Sequence, residues 1–390
     1  MFSKVVSRLR SETNPLYRLR DDLERKGNRI IDFVSSNVND FGICFPQPLL
    51  EEILVEASRR AQIYRPDSFG QEVARQAVSS YYKKSGAVIP PENILLTPGT
   101  SISYWYCFKL LADEGEEILC PSPSYPLFNY IAEFSGARMV SYRLQESREW
   151  QIDLEYLEGC ISTKSRALVL ISPHNPTGRV ASVEEIDGLV EIALRHELAI
   201  ISDEVFSELL CRDTQFPRIA ASRAPLIFTL NGFSKMFALP GLKLGWMAVS
   251  GEEQLVREAM RALELISDTF LPVNEVAQAA TPALFERGQS FLQFYVGEIR
   301  KRWSVAQQAL AGSSRLSFMA PDGGLYVTAR LHELSEESAA EAILRRNQRL
   351  VHPGYLYDIR PDHLILSFAR EPEELQDGLS RIVATLEEIQ

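Results

Sequence analysis

Between residues 90 and 250, short apolar runs alternate with amphipathic stretches. The runs are ILLT (94–97), EEILC (116–120), ALVLIS (167–172), LAIISD (198–203), LIFTL (226–230) and GWMAVS (245–250). They are rich in Leu, Ile and Val and apolar on successive positions. Such runs predict strands buried on both faces of a mostly parallel sheet. The stretches between them read as helices. VEEIDGLVEIALRHE (183–197) is the clearest, opened by Ser182 with Glu185 three residues on, a capping box. Strand and helix in alternation predict an α/β fold with helices on both faces of the sheet. Beyond residue 250 the pattern changes. Two long amphipathic segments (252–266 and 274–312) precede LYVTARL (325–331), HLILSFA (363–369) and a last helix (371–389), which together predict a smaller α+β lobe. The N-terminal helix and RIIDFVSS (29–36) are expected to join one of the two lobes.

In open α/β sheets, ligands bind beyond the carboxyl ends of the strands. Nearly every run here is followed by chemistry-bearing residues. ILLT leads to Pro98-Gly99-Thr100-Ser101 and a helix, whose free N–H groups suit a phosphate. EEILC leads to Tyr125, ALVLIS to His174-Asn175-Pro176-Thr177-Gly178, LAIIS to Asp203-Glu204, and LIFTL to Asn231-Gly232-Phe233-Ser234-Lys235. Taken singly, a Gly-Thr-Ser turn is an N-cap, an Asp caps a helix and a Lys snorkels. Charged groups past buried strands are costly unless paired. Together the set matches the needs of one ligand, a phosphorylated, cationic heteroaromatic aldehyde. The turn takes the phosphate, Asp203 the ring nitrogen, Lys235 the aldehyde as a Schiff base, and Tyr125 the flat ring.

Composition narrows the field. The chain has 390 residues, 45% hydrophobic and 24% charged, which is a globular composition too long for one ordinary domain. Its net charge is -11 and it has no basic block, so nucleic acid is not an expected partner. Five scattered cysteines give neither a disulfide framework nor a zinc signature, and no metal site is expected. No run reaches the ~18 apolar residues of a membrane span. The basic N-terminus lacks an apolar h-region, and Glu12, Asp21 and Asp22 argue against a transit peptide. A surface helix and a cytoplasmic location are expected.

SPHNPTG (172–178), SDEVF (202–206) and GFSKMFALPGLKLGW (232–246), in this order and spacing, resemble the class I/II aminotransferases, which are fold-type I pyridoxal-phosphate enzymes. PDGGLYV (321–327) and VHPGYLYD (351–358) resemble the small-lobe pattern, and the resemblance spans residues 12–385. It implies a large cofactor-binding domain over 45–285 with a seven-stranded, mostly parallel sheet, and a small domain from 1–44 and 286–390. It implies an aminotransferase of amino-acid metabolism with pyridoxal phosphate on Lys235, using an amino acid and a 2-oxo acid. By the same resemblance Asp203 pairs with the pyridine nitrogen, Asn175 bonds the ring 3-oxygen and Tyr125 stacks on the ring. Gly99, Thr100, Ser101, Ser234 and Lys243 serve the phosphate. Tyr64 reaches the neighbouring subunit's phosphate in a homodimer, and the Gly42 backbone approaches the substrate carboxylate. The HNPTGRV stretch and ISDE also resemble β-eliminating carbon–sulfur lyases. A catalytically silent binding or regulatory protein is a third reading, opposed by the intact Lys235, Asp203 and Asn175.

The sequence departs from the family at four positions. Lys243 stands where Arg is usual, Gly232 where Ser is common, and Phe206 where a Tyr donates to the 3-oxygen. Ile365 stands where an Arg grips the substrate carboxylate with two hydrogen bonds. Arg370, Arg360, His352 and Arg65 are the nearby groups that could take over, with Arg370 favoured.

Overall fold

The computed structural model describes residues 3–8, 14–125, 127–271, 273–359 and 362–389. Arg360 and Glu12 lie outside the described residues. Lys4–Arg8 is a short helix.

The apolar runs form one large sheet. Its spatial order is Ile94–Thr97, Gly245–Gly251, Leu226–Gly232, Ala199–Asp203, Ser165–Ile171, Glu117–Ser122, Arg138–Gln145 and Gln151–Ile152. The central pairs are parallel, while Gly245–Gly251 runs antiparallel to both neighbours. The continuous apolar runs are explained by burial on both sides. Leu168 and Leu170 belong to one core and Val169 to another, as do Leu119 against Ile118 and Cys120.

The sheet has one substantial strand that the apolar runs do not announce. Arg138–Gln145 lies beside Glu117–Ser122, with Tyr142 and Leu144 buried and Arg138, Ser141 and Arg143 exposed. Its polar face breaks the apolar run, as it does in a half-covered strand near a sheet edge. The helix Val183–His196 carries the expected capping box from Ser182 and Glu185.

The C-terminal third builds a four-stranded antiparallel sheet in the order Leu316–Phe318, Tyr326–Leu331, His363–Ser367 and His352–Pro353. The long helix Gln289–Leu310 and the last helix Pro372–Glu388 pack together beside it. Ile31–Asp32 pairs in parallel with Arg349–Leu350, so the segment near residue 30 joins this lobe. Phe33 then packs on Gly378 of the last helix, and its carbonyl accepts from Ser367 N–H at 2.6 Å. The chain runs from there past Ser36 to a short turn, Val38–Phe41, that ends at Gly42.

Candidate active site

The turns after the parallel strands converge on a cavity of about 230 Å³. Gly99, Thr100 and Ser101 follow Ile94–Thr97. Tyr125 follows Glu117–Ser122 and Asn175 follows Ser165–Ile171. Asp203 ends Ala199–Asp203, and Ser234 and Lys235 follow Leu226–Gly232; all of them line the cavity. Thr100 opens a twelve-residue helix, so the helix's first N–H groups lie at the cavity wall. Close backbone contact makes this cup. A Cβ on Gly245 would sit 2.9 Å from the Asn231 carbonyl and 3.1 Å from Gly99 Cα, so a side chain there would push the turn away.

Asp203 is buried and accepts from Val205 N–H at 2.9 Å and from Tyr104 hydroxyl at 3.0 Å. No cation pairs with it among the described residues. Burial pushes its carboxyl up to about 6, against the lowering effect of those two donors. Lys235 Nζ donates to Ser36 Oγ at 3.1 Å and lies 5.7 Å from the centre of the Phe206 ring. Burial pulls this amine down to about 8. The Asn175 carboxamide oxygen is buried with no partner. His174 beside it is neutral, pushed down to about 3 by burial, with Nδ1 2.9 Å from Thr177 Oγ1.

Behind the strand ends lies a buried brace. Arg218 pairs with Glu204, the residue after Asp203, and with Glu208 at 3.0 Å. Asn231 donates to Ser207 at 3.2 Å and accepts the Gly232 N–H at 2.7 Å, which fixes the approach to Ser234 and Lys235.

Four expected residues do not line the cavity. Tyr64 is 66% exposed. Lys243 is exposed in a left-handed conformation after Pro240–Leu242. Gly42 has φ +80, and its N–H is bonded to the Val38 carbonyl. A Cβ there would meet Glu371 Oε1 at 2.6 Å. Arg370 pairs with Glu374 at 3.0 Å and stacks over Phe41 and Phe33 at 4.6 and 5.4 Å. Ser36, Tyr104 and Tyr326 are lining residues that sequence reasoning missed. Tyr104 follows Thr100 by one helical turn, which was a usable signal. Tyr326 stands inside the PDGGLYV motif, though nothing local placed it at the cavity, and Ser36 arrives from a distant segment with no signal.

The family model for class I and II aminotransferases matches residues 30–382. The chain belongs to that family. It is similar to the glutamate-pyruvate aminotransferase AlaA of Escherichia coli K12, 31% identical over 386 residues, which covers 95% of this chain and 94% of the relative. It is also similar to an alanine aminotransferase of Mycobacterium tuberculosis, 29% identical over 384 residues, at 94% and 88% coverage. A solved aminotransferase from Escherichia coli superposes with a TM-score of 0.90 at 26% identity, covering 99% of this chain and 98% of the other. An alanine aminotransferase from Pyrococcus furiosus shares the fold, with a TM-score of 0.92 at 23% identity over the whole of both chains.

The protein is therefore a pyridoxal-phosphate aminotransferase, acting between an amino acid and a 2-oxo acid. The residues present fit the cofactor. A buried carboxylate without a cation suits a protonated ring nitrogen, and that charge would draw Asp203 back below 6. Asn175 lines the same wall and would offer a carboxamide N–H to the ring's 3-oxygen. The helix that begins at Thr100 suits the phosphate.

Proposed function

We propose that Lys235 is the residue that would hold pyridoxal phosphate covalently, and that its Nζ, when free, moves the substrate's α-proton. The supporting observation is the cavity that gathers Lys235, Asp203, Asn175 and the Gly99-Thr100-Ser101 turn. The bound cofactor supplies an electron-withdrawing ring. Asp203 would hold that ring's nitrogen protonated, Asn175 would donate to its 3-oxygen and Tyr125 would supply an aromatic surface for the ring. Gly99, Thr100, Ser101 and Ser234 hold the phosphate. Lys243 would add a point charge rather than a two-pronged contact. Ser36 keeps Nζ oriented in the cavity.

A homodimer completes the site. Ile63 and Tyr64 are 62% and 66% exposed, and Leu265 and Leu271 are 72% and 65% exposed. The neighbouring Arg65 N–H donates to Glu275 and Ser68 to Glu264, which lays this segment along the helices Glu253–Phe270 and Glu275–Arg287. An apolar surface beside the cavity-lining helix fits a second subunit, with Tyr64 serving the neighbour's phosphate. Residues 45–285 form the large domain; 1–44 and 286–390 form the small one. None of the described helices is long and apolar enough to cross a membrane.

The test is a half-reaction. An amino-acid panel is mixed with the loaded enzyme, and the oxo product is measured against the amine form of the cofactor. Equal amounts support transamination, whereas ammonia and pyruvate without the amine form refute it. Sedimentation of an active monomer at assay concentration would refute the shared site.

A further inference from the structure

The wall of the cavity away from the parallel strands carries two hydroxyls, Ser36 and Tyr326. They come from distant segments, yet one strand end fixes both. Ser367, the last residue of His363–Ser367, pairs directly with Tyr326, and its N–H donates to the Phe33 carbonyl at 2.6 Å. Asp32 Oδ1 then accepts from Val34 N–H at 2.6 Å and from Ser35 N–H at 2.9 Å, which turns the chain just before Ser36. Beyond Ser36, the Asn39 carboxamide donates at 3.0 Å to the carbonyl of Ala238, in the loop that follows Lys235. The segment carrying Ser36 is thus anchored to the second sheet on one side and to the lysine's own loop on the other.

Between these anchors the segment meets the reacting nitrogen. Lys235 Nζ donates to Ser36 Oγ at 3.1 Å, and Ser36 hydrogen-bonds Tyr326. A serine hydroxyl has one O–H and two lone pairs. One lone pair takes the Nζ–H, the O–H goes to the Tyr326 oxygen, and the second lone pair stays open. Donation in this sense lowers Tyr326, against the rise that burial causes. It also polarises the Ser36 oxygen and makes it a better acceptor.

An amine that takes up a proton in this cavity needs such an acceptor. The neutral amine has two N–H groups and a lone pair, whereas the ammonium has three N–H groups and a charge. A buried ammonium without partners is costly. Burial lowers Lys235 to about 8, and no carboxylate among the described residues acts on it to raise that value. The other titratable groups lining the cavity are Tyr104, Tyr125, Asp203 and Tyr326. Asp203 accepts from Val205 and Tyr104 and is the partner of the ring nitrogen on the reading above. Phe206 offers Nζ only the face of its ring, at 5.7 Å. Ser36 is the hydrogen-bond partner that the fold brings to the nitrogen. Asp32 acts electrostatically on Tyr326, and a negative charge there favours a positive one on Nζ.

We propose that Ser36 is a further catalytic residue and Tyr326 its positioning residue: together they dock the Lys235 amine and hold its ammonium form while it carries the substrate's α-proton. This rests on the aminotransferase reading above. The α C–H bond breaks, its electron pair stays with the substrate, and its proton forms the third N–H bond of Nζ. That N–H bond breaks when the proton is delivered, and the neutral amine returns. Ser36 holds the charged form, so the titration of Lys235 and the rate of proton transfer both depend on its hydroxyl.

The experiment has two readings. Trace acetylation of the cofactor-free chain with acetic anhydride, across about pH 6 to 10 and read at Lys235 by mass spectrometry, titrates the amine without relying on the cofactor. Ser36→Ala should move the midpoint down by about one pH unit, because a hydrogen bond to the charged form is lost. Tyr326→Phe should move it the same way by less, and Ser36→Thr, which keeps the hydroxyl, should restore it. The loaded enzyme is then given the amino acid of the panel that it converts fastest, with and without deuterium at the α-carbon. Ser36→Ala should slow formation of the amine form of the cofactor by about tenfold in kcat, with KM little changed and a larger isotope effect, and Ser36→Thr should recover most of the rate. A midpoint that stays or rises in Ser36→Ala overturns the proposal, and so does an unchanged rate. Equal losses in Ser36→Ala and Ser36→Thr mark a packing role and overturn it as well. If Ser36→Ala does not fold, Tyr326→Phe decides by the same signs. An enzyme that converts no member of the panel sinks the aminotransferase reading and this proposal with it, whereas an unshifted midpoint in an enzyme that converts one sinks this proposal alone.

Discussion

The two ends of the cavity are made differently. At the cofactor end, Gly99, Thr100, Ser101, Asn175 and Lys235 stand two to four residues past a buried strand, and Asp203 ends one. Their places follow from the parallel sheet, which brings strand ends together whatever happens elsewhere. At the substrate end, Ser36 and Tyr326 line the cavity, and they come from segments far apart in the chain. They meet through strand pairing and through the path of the segment between Asp32 and Gly42. The difference teaches that the cofactor end rests on local motifs, while the opposite wall rests on the register of a second sheet and on the path of a distant segment. The predictions below set one end against the other.

The largest effect is expected at the cofactor end. Lys235→Ala removes the group that binds the cofactor covalently and moves the α-proton. The half-reaction should slow by on the order of 10³-fold or more, read as formation of the amine form of the cofactor. A loss of only a few-fold would show that another base moves the proton. Asp203→Asn comes next. It leaves the shape but removes the charge opposite the ring nitrogen. Removing one partner of a buried charge pair costs about 2–5 kcal/mol, so a loss of roughly 100-fold in kcat is expected, with weaker cofactor binding. Equilibrium dialysis and single-turnover rates on the variant check both. Unchanged values would mean that Asp203 does not face the ring.

The same contrast explains what the sequence could show. The α/β sheet, the second lobe and the cofactor residues were legible because each signal is local, a run of apolar residues ending in a polar turn. Arg138–Gln145 was not, since its exposed Arg138, Ser141 and Arg143 interrupt the run. Ser36 was invisible because its contact with Lys235 spans 199 residues and depends on how the chain enters the small lobe. The Ile365 substitution was legible as a loss. His352 was already named as a nearby group, and the pairing of His352–Pro353 with His363–Ser367 sets it directly opposite Ile365. Arg370 looked available beyond the strand, yet the fold turns it onto Phe41, Phe33 and Glu374.

A titration gives an effect of about tenfold. Burial lowers Lys235 to about 8, so the neutral, reactive amine predominates above that pH in the cofactor-free protein. The sign follows from desolvation, which disfavours the charged form. The rate of Schiff-base formation with added pyridoxal phosphate should rise about tenfold between pH 7 and a plateau near 9, followed by absorbance. An ordinary lysine, near 10.4, would keep climbing well past 9. A rate still rising at pH 10 would show that the amine is solvated and the cavity open.

The smallest catalytic effect is expected at Arg370. Its guanidinium lies outside the cavity lining, stacked on Phe41 and Phe33 and paired with the solvated Glu374. Exposed pairs of this kind contribute about 0–1 kcal/mol and cation–π contacts about 0.5–2 kcal/mol. Arg370→Ala should therefore lower stability by about 1–2 kcal/mol, measured by urea unfolding, and change kcat/KM by less than about threefold. The Asp32→Asn variant sharpens the point. Asp32 Oδ1 accepts from Val34 N–H at 2.6 Å and from Ser35 N–H at 2.9 Å, which an amide oxygen can keep. Only the negative charge that acts on the cavity-lining Tyr326 is lost, so affinity for an anionic 2-oxo acid should rise several-fold, through KM and not kcat. If Arg370→Ala instead raises KM tenfold while Asp32→Asn does nothing, the arginine does reach the substrate carboxylate. The substrate end would then be an ion-pairing site like the one at Asp203, and the contrast between the two ends would collapse.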